Sequence, residues 1–185
     1  MAKIFVFRHG QTAYNRNNIF TGWADSELTD EGIKECEQIA EELKDVRPTK
    51  AYTSDLKRAQ DTLYIVLGSR KDVPVVIDER IKERGYGELT HKSKVEIARQ
   101  YPKEYPLWHR SYDIPPPGGE SMQVVEKRVF AFLDEILPKL KKDDVVFISA
   151  HGNSLRPIRR YFEKLSAEEM CSFEHVRARV YRYEI

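Results

Sequence analysis

The sequence predicts an α/β fold built around a mostly parallel sheet. Three observations carry that prediction. Short strand-like runs at 4–7, 51–54 and 145–148 alternate with stretches of helical periodicity, the order that a parallel sheet requires. The first and last of these runs both lead into a histidine–glycine pair, His9-Gly10 and His151-Gly152. Near the end, Val176, Ala178 and Val180 alternate with Arg177, Arg179 and Tyr181, the period-two pattern of an edge strand.

Each element follows from local chemistry. Run 4–7 is a short buried strand, and Arg8-His9-Gly10 stands at its C-terminal end, where open α/β sheets place their ligand crevice. Residues 11–28 are polar and too long for a simple connection, which suggests a functional loop pinned to the core by Phe20 and Trp23. Thr29 caps the next helix, with Asp30 and Glu31 in its first turn and an apolar face of Ile33, Cys36, Ile39, Ala40 and Leu43. A second helix, 56–67, follows the run 51–54, capped by Ser54 or Asp55 and stopped by Gly68. Arg58 lies in its first turn, a place suited to an anion.

A third strand is predicted over 73–77, leading into a charged loop in which Glu79, Glu83 and Glu88 are each candidates to carry a carboxylate into a pocket. After a short helix near 95–99, residues 101–120 are rich in proline and aromatics and are predicted to form a lid or wall, with His109 and Arg110 facing inward. Met122, Val125, Val129, Phe132, Ile136 and Leu140 step by three or four, giving the longest helix, 122–140, with a core face. A final helix, 155–165, accepts Pro157 in its first turn.

Composition bounds the function. The chain has 185 residues, 41% hydrophobic and 33% charged, which suits one domain over 1–185. A net charge of +1 gives no general attraction to nucleic acid, so any anion site must be a local cluster of cations. No apolar run reaches membrane length and no secretory pattern opens the chain, so the expected address is the cytoplasm. Cys36 and Cys171 stand alone, without ligand spacing, and read as reduced structural residues.

Two strand-end histidines in one sheet would converge, each followed by a glycine that lets the backbone turn away. That arrangement suits phosphoryl transfer: one imidazole attacks phosphorus, and donors surround the charge spread over three equatorial oxygens. Arg8, Arg58 and the second histidine would supply the donors, and a carboxylic acid would serve the leaving alkoxide. Paired histidines can also bind zinc, but no third ligand shows suitable spacing, and arginines beside a dication are unfavourable; the expectation is no metal.

The motifs resemble the histidine phosphatase superfamily, and within it the cofactor-dependent phosphoglycerate mutases. The resemblance rests on Arg8-His9-Gly10, Asn15, Phe20-Thr21-Gly22-Trp23, Asp25, Leu28-Thr29 and Gly32, then on Thr53-Ser54-Asp55-Leu56-Lys57-Arg58-Ala59. It continues through Glu83-Arg84, Tyr86-Gly87, Arg110-Ser111-Tyr112-Asp113, the prolines and His151-Gly152-Asn153-Ser154-Leu155-Arg156. It implies a three-layer α/β/α sandwich whose mostly parallel sheet has an antiparallel edge strand. It implies His9 as the phosphorylated nucleophile, His151 as its partner, Glu83 as proton carrier, and Arg8 and Arg58 as phosphate ligands. Asn15, Thr21, Gly22, Tyr86, Lys94, His109, Arg110, Gly152 and Asn153 would line the substrate site, with Lys94 and Arg110 as carboxylate clamps. The implied reaction interconverts 3-phosphoglycerate and 2-phosphoglycerate, primed by 2,3-bisphosphoglycerate. The partner is thus a small phosphorylated acid, with neither nucleic acid nor membrane, and oligomeric state left open.

The sequence also departs from the mutases. Gln11 replaces the usual glutamate, His109 a usual arginine, an insertion after the prolines is missing, and the chain stops at Ile185 without the family's mobile tail. An opener site would admit water, so a phosphatase using the same phosphohistidine is the second reading. A silent phospho-ligand-binding module is the third.

Overall fold

The computed structural model describes residues 1–185. Five strands form one sheet: β1 Lys3–Arg8, β2 Lys50–Thr53, β3 Val75–Ile77, β4 Val145–Ala150 and β5 Val180–Glu184. Their order is β3-β2-β4-β1-β5, with every pairing parallel except the edge pair β1–β5. Alternate β1 residues feed two cores. Ile4 and Val6 pack with Val125, Val129 and Phe132 on one face, and Phe5 and Phe7 pack with Ile39, Leu43 and Leu63 on the other. A strand buried on both faces must be apolar throughout, which is why 4–7 shows no polar alternation. The predicted three-layer sandwich is the observed architecture.

The helices are α1 Ala13–Arg16, α2 Asp30–Glu42, α3 Lys57–Leu67, α4 Lys94–Gln100, α5 Glu104–Arg110, α6 Met122–Ile136, α7 Gly152–Glu163 and α8 Ala167–Ser172. None is long and apolar enough to cross a membrane. Thr29 caps α2 by accepting from the Gly32 N–H, and Gly68 closes α3 at φ +57°.

Several expectations are corrected. Ile33 is exposed, and the buried stripe of α2 instead runs through Gly32, Glu35, Cys36 and Ile39. Leu56, not Ser54 or Asp55, occupies the cap position of α3, without a side-chain cap, and the Ser54 hydroxyl lies against both Leu56 N–H and His151 Nε2. α6 ends at Ile136 and passes into a 3-10 turn, Leu137–Lys139, since Pro138 cannot continue the α ladder. α7 begins at Gly152, three residues earlier than predicted, which leaves Pro157 inside the helix rather than in its first turn. The edge strand starts only at Val180, because Ala178 sits at φ +52° and breaks the extended run.

The segment 101–120 is not a uniform lid. Its first part is helix α5, and its proline run braces the loop below. Pro117 C=O accepts from Glu88 N–H and Gly85 C=O from Glu120 N–H. Trp23 does not sink into the core as Phe20 does. It stays about half exposed, donates Nε1–H to Glu83 C=O at 2.7 Å, and stacks under the Lys82 ammonium.

The turn after β1 is held against α2 by two glycines. A Cβ built on Gly32 would lie 2.0 Å from Gln11 O, and one on Gly10 would lie 2.3 Å from Gly32 O. Both clashes are with backbone, which cannot swing away. Gly32→Ala should therefore destabilise the fold by about 1–3 kcal/mol, read as a lowered urea midpoint with an unchanged slope; wild-type stability would show that the helix can shift freely.

Candidate active site

The site is assembled by the register of the two central strands. Arg8 lies opposite Ala150 in the parallel β1–β4 pair, so the next residues, His9 and His151, leave the sheet side by side. His9 N–H extends the ladder by donating to Ala150 C=O. The two imidazole rings stand 5.0 Å apart between centroids.

His9 Nδ1 is 2.8 Å from the Gly10 carbonyl oxygen. A carbonyl only accepts, so the ring proton sits on Nδ1 and the Nε2 lone pair stays free. Burial holds the His9 pKa well below the usual 6.5, and the charges of Arg58 and Arg8 push it further down. His9 is thus a neutral nucleophile in waiting. His151 is fully buried and is also held neutral, first by desolvation and then by Arg58. Its Nε2 lies 2.7 Å from Ser54 Oγ, which accepts from Leu56 N–H. His151 Nδ1 has no protein partner, and in the tautomer in which Ser54 donates to Nε2 it carries the ring proton.

Arg58 is also almost wholly buried. Its two terminal nitrogens donate to Ala24 C=O and Gly22 C=O at 2.8 and 2.6 Å, fastening the loop that carries Thr21 and Gly22, while Nε has no partner. Arg8 Nε is likewise buried and unpartnered. Desolvation lowers the pKa of both guanidiniums, with the Glu83 charge opposing it. Such donors are poised for an anion.

Of the three candidate carboxylates, only Glu83 is buried. Its Oε1 accepts from Arg84 N–H at 2.7 Å and from Asn153 N–H, in the first turn of α7, at 3.1 Å. Arg128 of α6 holds the Glu83 loop, donating to the carbonyls of Arg80, Lys82 and Glu83 and pairing with Glu120. One ligand-type atom each from His9, Glu83 and His151 lies within 4.8 Å of the others. The structure therefore supplies the third metal-type ligand that linear spacing did not reveal, and that part of the argument against zinc falls. The charge argument stands, since Arg8 and Arg58 press on both histidines.

Above this floor lies a polar pocket of about 150 Å³. Arg8, Asn15, Thr21, Gly22, Glu83, Tyr86, Lys94, His109, Arg110, Gly152 and Asn153 all line it, so the predicted binding residues meet in one place. His9, Arg58 and His151 lie beneath the lining rather than on it; His9 borders a separate water-sized cavity beside Gln11, Glu35 and Arg177. Asn15 Oδ1 accepts from Thr12 N–H, which leaves its amide N–H₂ as a donor. Asn153 donates to the buried Tyr86 hydroxyl at 3.0 Å. His109 stacks on Tyr105, and burial followed by Arg110 brings its pKa down to about 4, so it enters the site neutral. Burial also lowers the Lys94 pKa, although Glu83 opposes it.

Sequence reasoning missed three lining residues: Arg156, Glu174 and His175. Arg156 sits four residues after Gly152 on α7, so helical spacing could have placed it on the same face. His175 lies between α8 and β5. The Ser166-x-x-Glu169 capping box that opens α8 is the signal the sequence holds for this region.

A model of the histidine phosphatase superfamily (branch 1) matches residues 4–185. The chain belongs to the histidine phosphatase superfamily. It is 40% identical over 179 residues to a 2,3-bisphosphoglycerate-dependent phosphoglycerate mutase of Parvibaculum lavamentivorans, covering 91% of this chain and 83% of that one. A mutase of the same name from Cytophaga hutchinsonii is 40% identical over 174 residues, covering 92% and 82%. Among solved structures of this superfamily fold, Bacillus stearothermophilus YhfR superposes with a TM-score of 0.91 at 27% identity, covering 100% of this chain and 92% of that one. A mycobacterial glucosyl-3-phosphoglycerate phosphatase bound to VO3 gives 0.87 at 27%, covering 97% and 91%.

Four depressed histidines, His9, His109, His151 and His175, make folding pH-dependent. Below about pH 6.5 the unfolded chain takes up protons that the folded chain refuses, so stability is full above that pH and is lost as pH falls. Each such histidine contributes a slope of about 1.4 kcal/mol per pH unit until its folded pKa is reached. Urea unfolding between pH 7 and pH 5 should show a steep loss, and His175→Gln should reduce the slope by about one proton. A flat profile would contradict the depressed histidine pKa values.

Proposed function

We propose that the protein interconverts 3-phosphoglycerate and 2-phosphoglycerate through a phosphohistidine on His9, with residues 1–185 acting as one catalytic domain in the cytoplasm. The observation that carries this reading is the neutral His9 nucleophile placed beside buried Glu83 under a cation-lined pocket. The names of the relatives at 40% identity support the mutase over other chemistries of the family.

In the forward step His9 Nε2 attacks phosphorus, and the bond from phosphorus to the departing oxygen breaks. Arg8, Arg58 and the Nδ1–H of His151 receive the charge of the equatorial oxygens. Glu83, anchored by the Arg84 and Asn153 amides, donates a proton to the leaving alkoxide and takes one back from whichever hydroxyl next attacks the phosphohistidine. Bisphosphoglycerate supplies the phosphoryl group that charges His9; the unpartnered Nε atoms of Arg8 and Arg58 fit a phosphate, and the cationic walls above fit a second anion. The arginines do the neutralising that a metal would otherwise do, and the site is read as metal-free.

A phosphatase is the second reading, favoured by the glucosyl-3-phosphoglycerate phosphatase that shares the fold. One assay separates them. With 3-phosphoglycerate and a trace of 2,3-bisphosphoglycerate, the mutase yields 2-phosphoglycerate; phosphate release without isomer would refute it.

Two variants test the roles. His9→Ala should abolish an acid-labile phosphoenzyme. Glu83→Gln should lower turnover by about 10²–10⁴-fold, with least loss for substrates whose leaving group needs no proton. Dialysis against a chelator should leave the rate unchanged; loss restored by zinc would reverse the metal-free assignment.

A further inference from the structure

Glu35 of α2 does not line the substrate pocket, yet it is only 6% exposed. A carboxylate taken out of water is costly unless it is paired and hydrogen-bonded. One of its oxygens, Oε1, accepts from the half-exposed Arg177 at 2.9 Å. The other, Oε2, accepts from Gln11 N–H at 2.8 Å. That N–H belongs to the peptide that joins Gly10 to Gln11, and the C=O of the same peptide accepts from His9 Nδ1 at 2.8 Å. Two hydrogen bonds and one peptide group therefore connect a buried negative charge to the imidazole.

The peptide cannot turn away from this task. Gly10 N–H donates to Thr62 Oγ1 at 3.2 Å, and Thr62, fully buried on α3, donates its own proton to Arg58 C=O at 2.8 Å. Gln11 C=O accepts from Thr29 N–H at 2.9 Å. Within a peptide the N–H and C=O are conjugated, so a carboxylate drawing on the N–H increases the negative charge on the carbonyl oxygen. A charged acceptor also makes a stronger hydrogen bond than a neutral one.

The chemistry gives this link a use. As His9 Nε2 bonds to phosphorus, the bond from phosphorus to the departing oxygen breaks and that oxygen takes the Glu83 proton. The ring keeps its Nδ1 proton and becomes a cation. Arg8 and Arg58 oppose positive charge on the ring, and the hydrogen bond to Gly10 C=O favours it. We propose that Glu35 is a positioning residue for His9, acting through the Gly10–Gln11 peptide to hold the Nδ1–H tautomer and to stabilise the ring cation that forms as Nε2 takes the phosphoryl group. A carboxylate behind an imidazole does both of these things when it touches the ring directly; here a backbone amide stands between them. The proposal rests on the reading of His9 as the phosphorylated nucleophile, and it holds whether the phosphoryl group passes on to a hydroxyl or to water.

The first arm of the test is NMR of the resting protein carrying isotope-labelled histidine, which reads the His9 Nδ1–H proton without any phosphoryl transfer. Glu35→Gln keeps an acceptor for Gln11 N–H and removes the charge, so it should move that proton upfield. Arg177→Gln removes the counter-charge from Glu35 and should move the proton downfield. The second arm follows formation of the acid-labile phosphoenzyme on rapid mixing with 2,3-bisphosphoglycerate. Glu35→Gln should lower the saturating rate about tenfold, the difference between a charged and a neutral hydrogen bond. Inorganic phosphate should bind that variant as tightly as the wild type or more tightly, because the Glu35 charge competes with phosphate for Arg8. A proton that moves in neither variant, or phosphate binding that weakens in step with the rate, would overturn the proposal. If Glu35→Gln does not fold, Arg177→Gln decides alone, and an unmoved proton there overturns it. A wild-type protein that forms no phosphoenzyme would refute the phosphohistidine reading and the cation-stabilising role with it, while the proton shifts would still decide the link from Glu35 to His9.

Discussion

The parallel register of β1 on β4 is the constraint on which the site depends. With Arg8 opposite Ala150, both strands end at the same level, and the next residue of each is a histidine. A slip of one residue would exchange the two faces of β1, sending Ile4 and Val6 into the core now filled by Phe5 and Phe7. The catalytic pairing is therefore protected by hydrophobic burial on both sides of the sheet. A site built on strand ends inherits the rigidity of the core beneath it.

Electrostatics then explain why these buried groups stay reactive. A net charge of +1 conceals a local concentration of cations around one buried carboxylate. The cost of burying them is carried by lowered pKa values, on the imidazoles because they can shed a proton, and on Arg8, Arg58 and Arg156 against their strong basicity. An incoming phosphate relieves that cost without rearrangement, because Arg58 is fixed by two carbonyls and Glu83 by two amides. The donors are organised before the charge arrives, which is the electrostatic form of preorganisation.

What the sequence made legible was local chemistry with a short reach. Apolar runs, caps and the His-Gly pairs are determined by neighbours within a few residues, and they placed β1, β2, β4, α2, α3 and the two histidines. Ile33 and Trp23 were misjudged because apolar character says nothing about which way a helix rolls or whether an indole has a carbonyl to bind. Their places are set by Gly32 against Gln11 and by the Glu83 carbonyl. Glu83 could be chosen among three carboxylates only by resemblance, since its burial comes from Arg128, Glu120 and the proline brace, all distant in the chain. Arg156 escapes for the same reason: it reads as an ordinary helix arginine until the end of α8 folds against it.

The fate of the phosphohistidine follows from how the pocket is filled. Water and a substrate hydroxyl are chemically similar acceptors, so selectivity must come from position rather than from nucleophilicity. A ligand held only by its phosphate leaves when that phosphate is transferred, and water can take its place. A ligand held also by a second anion remains, with its free hydroxyl over the phosphohistidine and its body occupying the space water would need. Retaining the intermediate thus requires a contact that does not depend on the migrating phosphate, and the cations on the walls, away from Arg8 and Arg58, are the groups placed to make it.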